Sequence, residues 1–276
     1  MSIMRSIMYG FISGLAEFLP ISAPAHQAVM RLMFGMNTRN SFQELLVHIG
    51  FLFSIIVGCR EVLVRLRREQ ANYSASRRRK IRTKDAKSFY DLRLLKTASI
   101  PLFVGLFLTF ATDKMGNNLL IIMGFLLLNA VIILLSDHTS HGNRDSRTMT
   151  ALDGIVMGLL GILSVFPGIS RTGVISAYAT ARGADSQNAC NWAFLLGIPA
   201  IVFSACFNVI GIVTYGFGVT SVAAFIGYLL SGAAAFCGGY IGIAIFRTVL
   251  SHSGFTRFAY YSIGAALFTF ILYLIT

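Results

Sequence analysis

The stretch GLAEFLPISAPAH, Gly14 to His26, decides how the rest of the chain is read. It sets a carboxylate (Glu17), a hydroxyl (Ser22) and an imidazole (His26) in an apolar run, and breaks that run at Pro20 and Pro24. A second stretch, MGLLGILSVFPGIS from Met157 to Ser170, has the same order: Gly-rich helix, aromatic, Pro, then Ile-Ser. Broken apolar segments of this kind are tolerated at membrane depth only where protein or a wet cavity covers the freed backbone.

The surrounding composition belongs to a membrane. Of 276 residues, 55% are hydrophobic and 12% charged, and the mean hydropathy is +0.71. Soluble domains carry about a quarter charged residues. At about 20 residues per crossing, the length allows roughly six to eight spans. The chain reads as one integral membrane domain over 1–276. Its first residues lead straight into apolar sequence without a small-residue cleavage pattern, so no cleaved leader is expected.

The net charge of +12 is concentrated: 13 of the 23 Lys and Arg lie between Arg60 and Lys96, including RRRKIRTK, Arg77 to Lys84. No aromatic residues interleave that run, so it reads as a cytoplasmic loop obeying the positive-inside rule and touching membrane lipids, not as a nucleic-acid site. Cys59, Cys190, Cys206 and Cys237 are too dispersed for a zinc site or a disulfide framework.

Anchoring the basic loop inside predicts an all-α fold with six spans: Phe42–Cys59, Leu95–Ala111, Leu119–Ser136, Trp192–Val213, Val219–Phe246 and Phe258–Ile275. The polar linker Asp137–Thr150 then lies inside. Ile3–Leu32 and Ala151–Ala181 must each enter and leave on one face, as re-entrant hairpins. The first dips in from outside and the second from inside, which makes an inverted-topology repeat whose broken helices meet near the midplane. A span facing lipid and one facing another subunit have the same composition, so a homo-oligomer stays open.

Ionisable groups at membrane depth cost about 2.5–3.5 kcal/mol on insertion scales. Glu17 and Arg171 sit there, one at each break. They either pair to hold the hairpins together or share a polar site. PGISRTG, Pro167 to Gly173, offers backbone N–H groups at a helix start, the hydroxyls of Ser170 and Thr172, and the guanidinium of Arg171. That set suits phosphate oxygens. Glu17 can hold a divalent cation or move a proton, His26 can act as nucleophile or general acid/base, and Ser22 can donate a hydrogen bond. His48, in LLVHIG, reads as a helix–helix contact in preference to a cavity-lining group. Arg182, Asp185 and Gln187 read as helix capping.

EFLPIS followed by His26, PGISRTG, and FLLGIPA at Phe194–Ala200 resemble the bacterial undecaprenyl-pyrophosphate phosphatases of the bacitracin-resistance type. The resemblance covers nearly the whole chain. It implies six spanning helices and two re-entrant hairpins in the bacterial cytoplasmic membrane. It also implies hydrolysis of the terminal phosphate of a C55 polyprenyl diphosphate at the outer face, recycling the lipid carrier for cell-wall synthesis, with a divalent cation (Mg²⁺ or Ca²⁺). On that resemblance Glu17, His26 and Arg171 are catalytic, with Glu17 also binding metal. Ser22, Ser170, Arg171, Thr172 and Gly173 then bind substrate.

The sequence departs from the family pattern at positions that bear on the chemistry. Ser13 stands where the family has a first Glu, and Ala23 and Pro24 replace two hydroxyl residues before the histidine. These changes keep a second reading in play: a catalytically degenerate transporter that binds a polyprenyl phosphate and moves it across the bilayer.

Overall fold

Two helices stop at prolines, and the same backbone constraint stops both. Proline clashes with a helical residue before it and pushes that residue into extended conformation. Helix α1 (Ile3–Phe18) ends at Leu19, at φ −93° and ψ 154°, just before Pro20. Helix α8 (Ala151–Ile162) closes with a 3₁₀ turn, Leu163–Val165, and ends at Phe166, at φ −82° and ψ 119°, before Pro167. After each break a short helix resumes: α2 (Ala23–Met33), with Pro24 in its first turn, and α9 (Arg171–Ala181). The computed structural model describes residues 2–36, 39–78, 90–112, 115–116, 118–137 and 148–276.

The remaining elements are α3 (Ser41–Gly58), α4 (Arg60–Arg78), α5 (Tyr90–Gly105), α6 (Thr109–Thr112), α7 (Leu119–Asp137), α10 (Ser186–Leu195), α11 (Gly197–Tyr215), α12 (Val222–Ser253) and α13 (Thr256–Ile275). The protein is an all-α, multi-span membrane protein. Among the described residues five helices are long and apolar enough to cross a bilayer: α3, α7, the joined α10–α11 (Ser186–Tyr215), α12 and α13. Their outer faces expose Ile210, Val213, Leu267 and Leu274, a surface suited to lipid rather than water.

The expected span Leu95–Ala111 is not among the five: it divides into α5, a 3₁₀ turn (Leu106–Leu108) and α6, and Pro101 lies inside α5. The expected Val219–Phe246 span ends later, at Ser253, because nothing before Gly254 (φ +63°) breaks the helix. The turn after it is held by Asp137 at the end of α7, whose carboxylate accepts from the backbone N–H of Phe255 (2.7 Å) and the hydroxyl of Thr256 (2.6 Å). Part of the basic loop (79–89) and most of the expected linker (138–147) lie outside the described residues.

Packing depends on backbone-to-backbone approach. α1 lies along α12, where a Cβ on Gly10 would sit 2.0 Å from the Ser231 carbonyl oxygen. α8 lies along α5 in the same way: a Cβ on Gly158 would sit 2.2 Å from the Ala98 carbonyl oxygen. Small residues at such contacts let helices gain dispersion energy where lipid offers no hydrophobic driving force. Between these pairs an aromatic core forms, with Phe18 edge-on to Phe51 (6.3 Å) and to Phe194 (5.8 Å).

At the far end of α3, the charged α4 leaves the bundle. There Arg65 pairs with Asp91 at 2.7 Å, and the buried Trp192 indole donates to the same carboxylate. Asp185 caps α10 by accepting from the Asn188 N–H, as expected for that position. Arg182 instead pairs with Asp153 at 2.7 Å, tying the end of α9 to the start of α8.

Candidate functional site

The two breaks meet. Arg171, the first residue of α9, donates from Nη2 to Glu17 Oε1, in the last turn of α1, at 2.6 Å. The two side chains are only 10% and 13% exposed. A charge-assisted contact this short, away from water, is among the stronger polar interactions a protein makes.

Around that pair three backbone carbonyls at the end of α1 and the break after it find side-chain partners. The Thr172 hydroxyl donates to the Glu17 carbonyl (3.0 Å), the Ser170 hydroxyl to the Leu19 carbonyl (3.1 Å), and Asn129 Nδ2 to the Pro20 carbonyl (3.0 Å). Asn129 Oδ1 in turn accepts from the Ser170 N–H at 2.9 Å. Ser170 Oγ also caps α9 by accepting from the Gly173 N–H at 3.1 Å. Ser22 holds φ +70°, rare for a residue with a side chain, and its Oγ accepts from the Gly168 N–H at 3.0 Å. Ser22, Ser170, Thr172 and Gly173 therefore knit the breaks together, while Arg171 faces open space.

That space is a cavity of about 380 Å³ at the N-terminal end of α3, opposite α4. Its polar lining includes Glu17, Gln27, Arg39, Glu44, His48 and Arg171, and on the other side Phe51, Leu106, Phe203 and Phe207 form an apolar wall interleaved with Thr109, Ser204 and Asn208. Ala23 and Pro24 also line it. Glu44 is fixed from behind: its carboxylate accepts from the buried Tyr9 hydroxyl and lies 3.8 Å from Arg31 Nη1, which itself donates to Tyr9 at 3.2 Å.

The structure does not bring His26 to this lining. Its Nδ1 lies 2.8 Å from the Ser22 carbonyl oxygen and its Nε2 lies 2.8 Å from the Tyr261 hydroxyl, with the two rings stacked. The reason is helical phase: α2 turns its cavity face through Ala23, Pro24 and Gln27 and sends His26 toward α13. His48, expected as a helix contact, instead lines the cavity.

The donor set does not make a resident divalent-cation site. Hard cations collect several oxygen ligands. Here the Glu17 carboxylate is taken by Arg171, and among the described residues no group of three or more His, Cys, Asp or Glu stands together to hold a metal ion. One turn before Glu17, Ser13 is fully buried and its Oγ has no hydrogen-bond partner.

Asn129 was missed from sequence, although a lone amide in the run LLIIMGFLLLNAVIILLSD is a usable signal. Buried amides in apolar helices are there to bond something. Glu44 was likewise missed; its signal is a carboxylate in the first turn of an otherwise apolar span.

Comparison with known proteins agrees in extent with the sequence pattern. Residues 6–268 match the family model described as "Bacitracin resistance protein BacA". Relatives include "Undecaprenyl-diphosphatase 1" of Shouchella clausii, 26% identical over 98% of this chain and 96% of its own length. The "Undecaprenyl-diphosphatase" of Alkaliphilus metalliredigens is 28% identical over 99% of this chain and all of its own length. That of Thermobifida fusca is 29% identical over 96% of this chain and 88% of its own length. The chain belongs to the bacitracin resistance protein BacA family.

Proposed function

We propose that this protein is an undecaprenyl-diphosphate phosphatase, a phosphoric anhydride hydrolase of the bacterial cytoplasmic membrane. It removes the terminal phosphate of a polyprenyl diphosphate and returns the monophosphate carrier to cell-wall synthesis. Family membership over residues 6–268 supports the activity at the level of the family. The observation that carries the reading for this chain is Arg171, a guanidinium at a helix start, facing a cavity with an apolar wall.

The topology proposed with it has six spans, α5–α6 serving as the sixth, and two re-entrant hairpins, α1–α2 and α8–α9, in one membrane domain. The pairing pattern supports an inverted repeat. The first hairpin packs on α12 and the second on α5, while α7 pairs with α13 and α3 with α11. Exchanging the two halves of the chain leaves that pattern unchanged. The basic α4 end is cytoplasmic by the positive-inside rule. The cavity then faces the outer side, where spent carrier lipid is released.

In this reading the diphosphate enters the cavity with its chain along Leu106, Phe203 and Phe207. Arg171 pairs with Glu17 through Nη2, its Nε is buried, and Nη1 turns to the phosphate oxygens. Phosphoryl transfer needs chiefly positioning and charge stabilisation, and Arg171 supplies charge where the leaving oxygen gains it. Glu17 holds Arg171 in place.

A second reading, a carrier that binds the lipid phosphate and moves it without cleavage, draws on Ser13 and Ala23 in place of the family's Glu and Ser, and on the incomplete cation ligand set. The test is phosphate release from C55 diphosphate by purified protein in detergent, in Mg²⁺, in Ca²⁺ and in chelator. Release lost in Arg171→Ala supports the diphosphatase. Arg171-dependent lipid binding without release in any condition supports the carrier.

A further inference from the structure

We infer that His48 is the general base of the hydrolysis, an assignment that rests on the diphosphatase reading above. His48 lies one turn beyond Glu44 on α3 and lines the cavity shared with Glu17 and Arg171. Its Nδ1 is 2.7 Å from the Glu44 carbonyl oxygen. A carbonyl only accepts, so that contact places the ring proton on Nδ1 and leaves Nε2 with a lone pair. Among the described residues Nε2 has no hydrogen-bond partner. The ring is backed by Phe51, with centroids 5.4 Å apart. His26, the other histidine near the breaks, spends both ring nitrogens on Ser22 and Tyr261.

A cavity-lining imidazole with a fixed tautomer and an unengaged basic nitrogen is what proton abstraction requires. Water between His48 and the terminal phosphorus gives a proton to Nε2 as its oxygen bonds to phosphorus. The bond from that phosphorus to the bridging oxygen breaks, and its electron pair leaves on the lipid monophosphate, whose charge Arg171 offsets. One water is consumed and one inorganic phosphate leaves. His48 then returns its proton to solvent.

The experiment measures kcat and KM for phosphate release from C55 diphosphate by wild type, His48→Gln and His48→Ala. Glutamine keeps a hydrogen-bonding side chain of similar reach but takes no proton. His48→Gln should lower kcat by about 100-fold or more with KM within about threefold. Added imidazole should restore part of the rate in His48→Ala, an effect that a structural role would not give. His48→Gln turning over at the wild-type rate overturns the assignment alone. No release by wild type overturns the diphosphatase reading and the assignment with it.

Discussion

Arg171 Nη2 and Glu17 Oε1, 154 positions apart in sequence, meet at 2.6 Å where two broken helices face each other. Each of these residues would be costly alone at membrane depth; together they are neutral as a pair. Replacing one leaves the other charged and buried, which costs about 3–5 kcal/mol for buried pairs. Arg171→Ala and Glu17→Gln should each lower the thermal unfolding midpoint in detergent. The double variant should lose clearly less than the sum, because contacting residues do not add. Additive losses would show that the pair is not coupled.

Ser22 combines a positive φ with the acceptor for the Gly168 N–H. Ser22→Ala keeps the unfavourable backbone and strands a buried donor, at about 1–3 kcal/mol. Ser22→Gly loses the same bond but relaxes the backbone. Thermal unfolding should rank wild type above Ser22→Gly and Ser22→Gly above Ser22→Ala. An Ala variant as stable as wild type would remove Ser22 from the link between the breaks.

Asn129 holds Pro20 of one break and Ser170 of the other with a single amide. Asn129→Leu leaves a carbonyl and an N–H without partners, at about 1–3 kcal/mol each. It should lower stability and also phosphate release, since the position of Arg171 follows Ser170. Unchanged release in a destabilised variant would separate the amide from the site.

The proposed orientation puts Phe217, between α11 and α12, outside and Arg67, on α4, inside. In a cysteine-free background, Phe217→Cys should react with a membrane-impermeant maleimide on whole cells. Arg67→Cys should react only after lysis. The opposite pattern would invert the topology.

Five of the six expected spans were legible because long apolar runs are required to cross a bilayer, and the breaks because Pro20 and Pro167 act on the backbone whatever the tertiary setting. The meeting of Glu17 and Arg171 was open to sequence reasoning as one of two alternatives, since buried charge needs a partner. What sequence could not supply was rotation of each helix about its axis. About 100° of helix rotation separates the cavity face of α2 from the face that sends His26 to Tyr261, and packing against α13 decides between them. The same holds for His48, whose ring could have met α12 but lines the cavity. The hydroxyls of Ser170 and Thr172 read as phosphate ligands because the competing acceptors, the carbonyls of Leu19 and Glu17, are distant in sequence.

The most direct test of the central claim follows C55 diphosphate by phosphorus NMR in detergent with purified wild-type protein and with Arg171→Ala. The account predicts that wild type converts the two diphosphate resonances into lipid monophosphate and inorganic phosphate, and that Arg171→Ala slows this by about 100-fold or more, the scale seen when a transition-state charge donor is removed. Diphosphate resonances that broaden on binding to wild type yet persist without cleavage would contradict it.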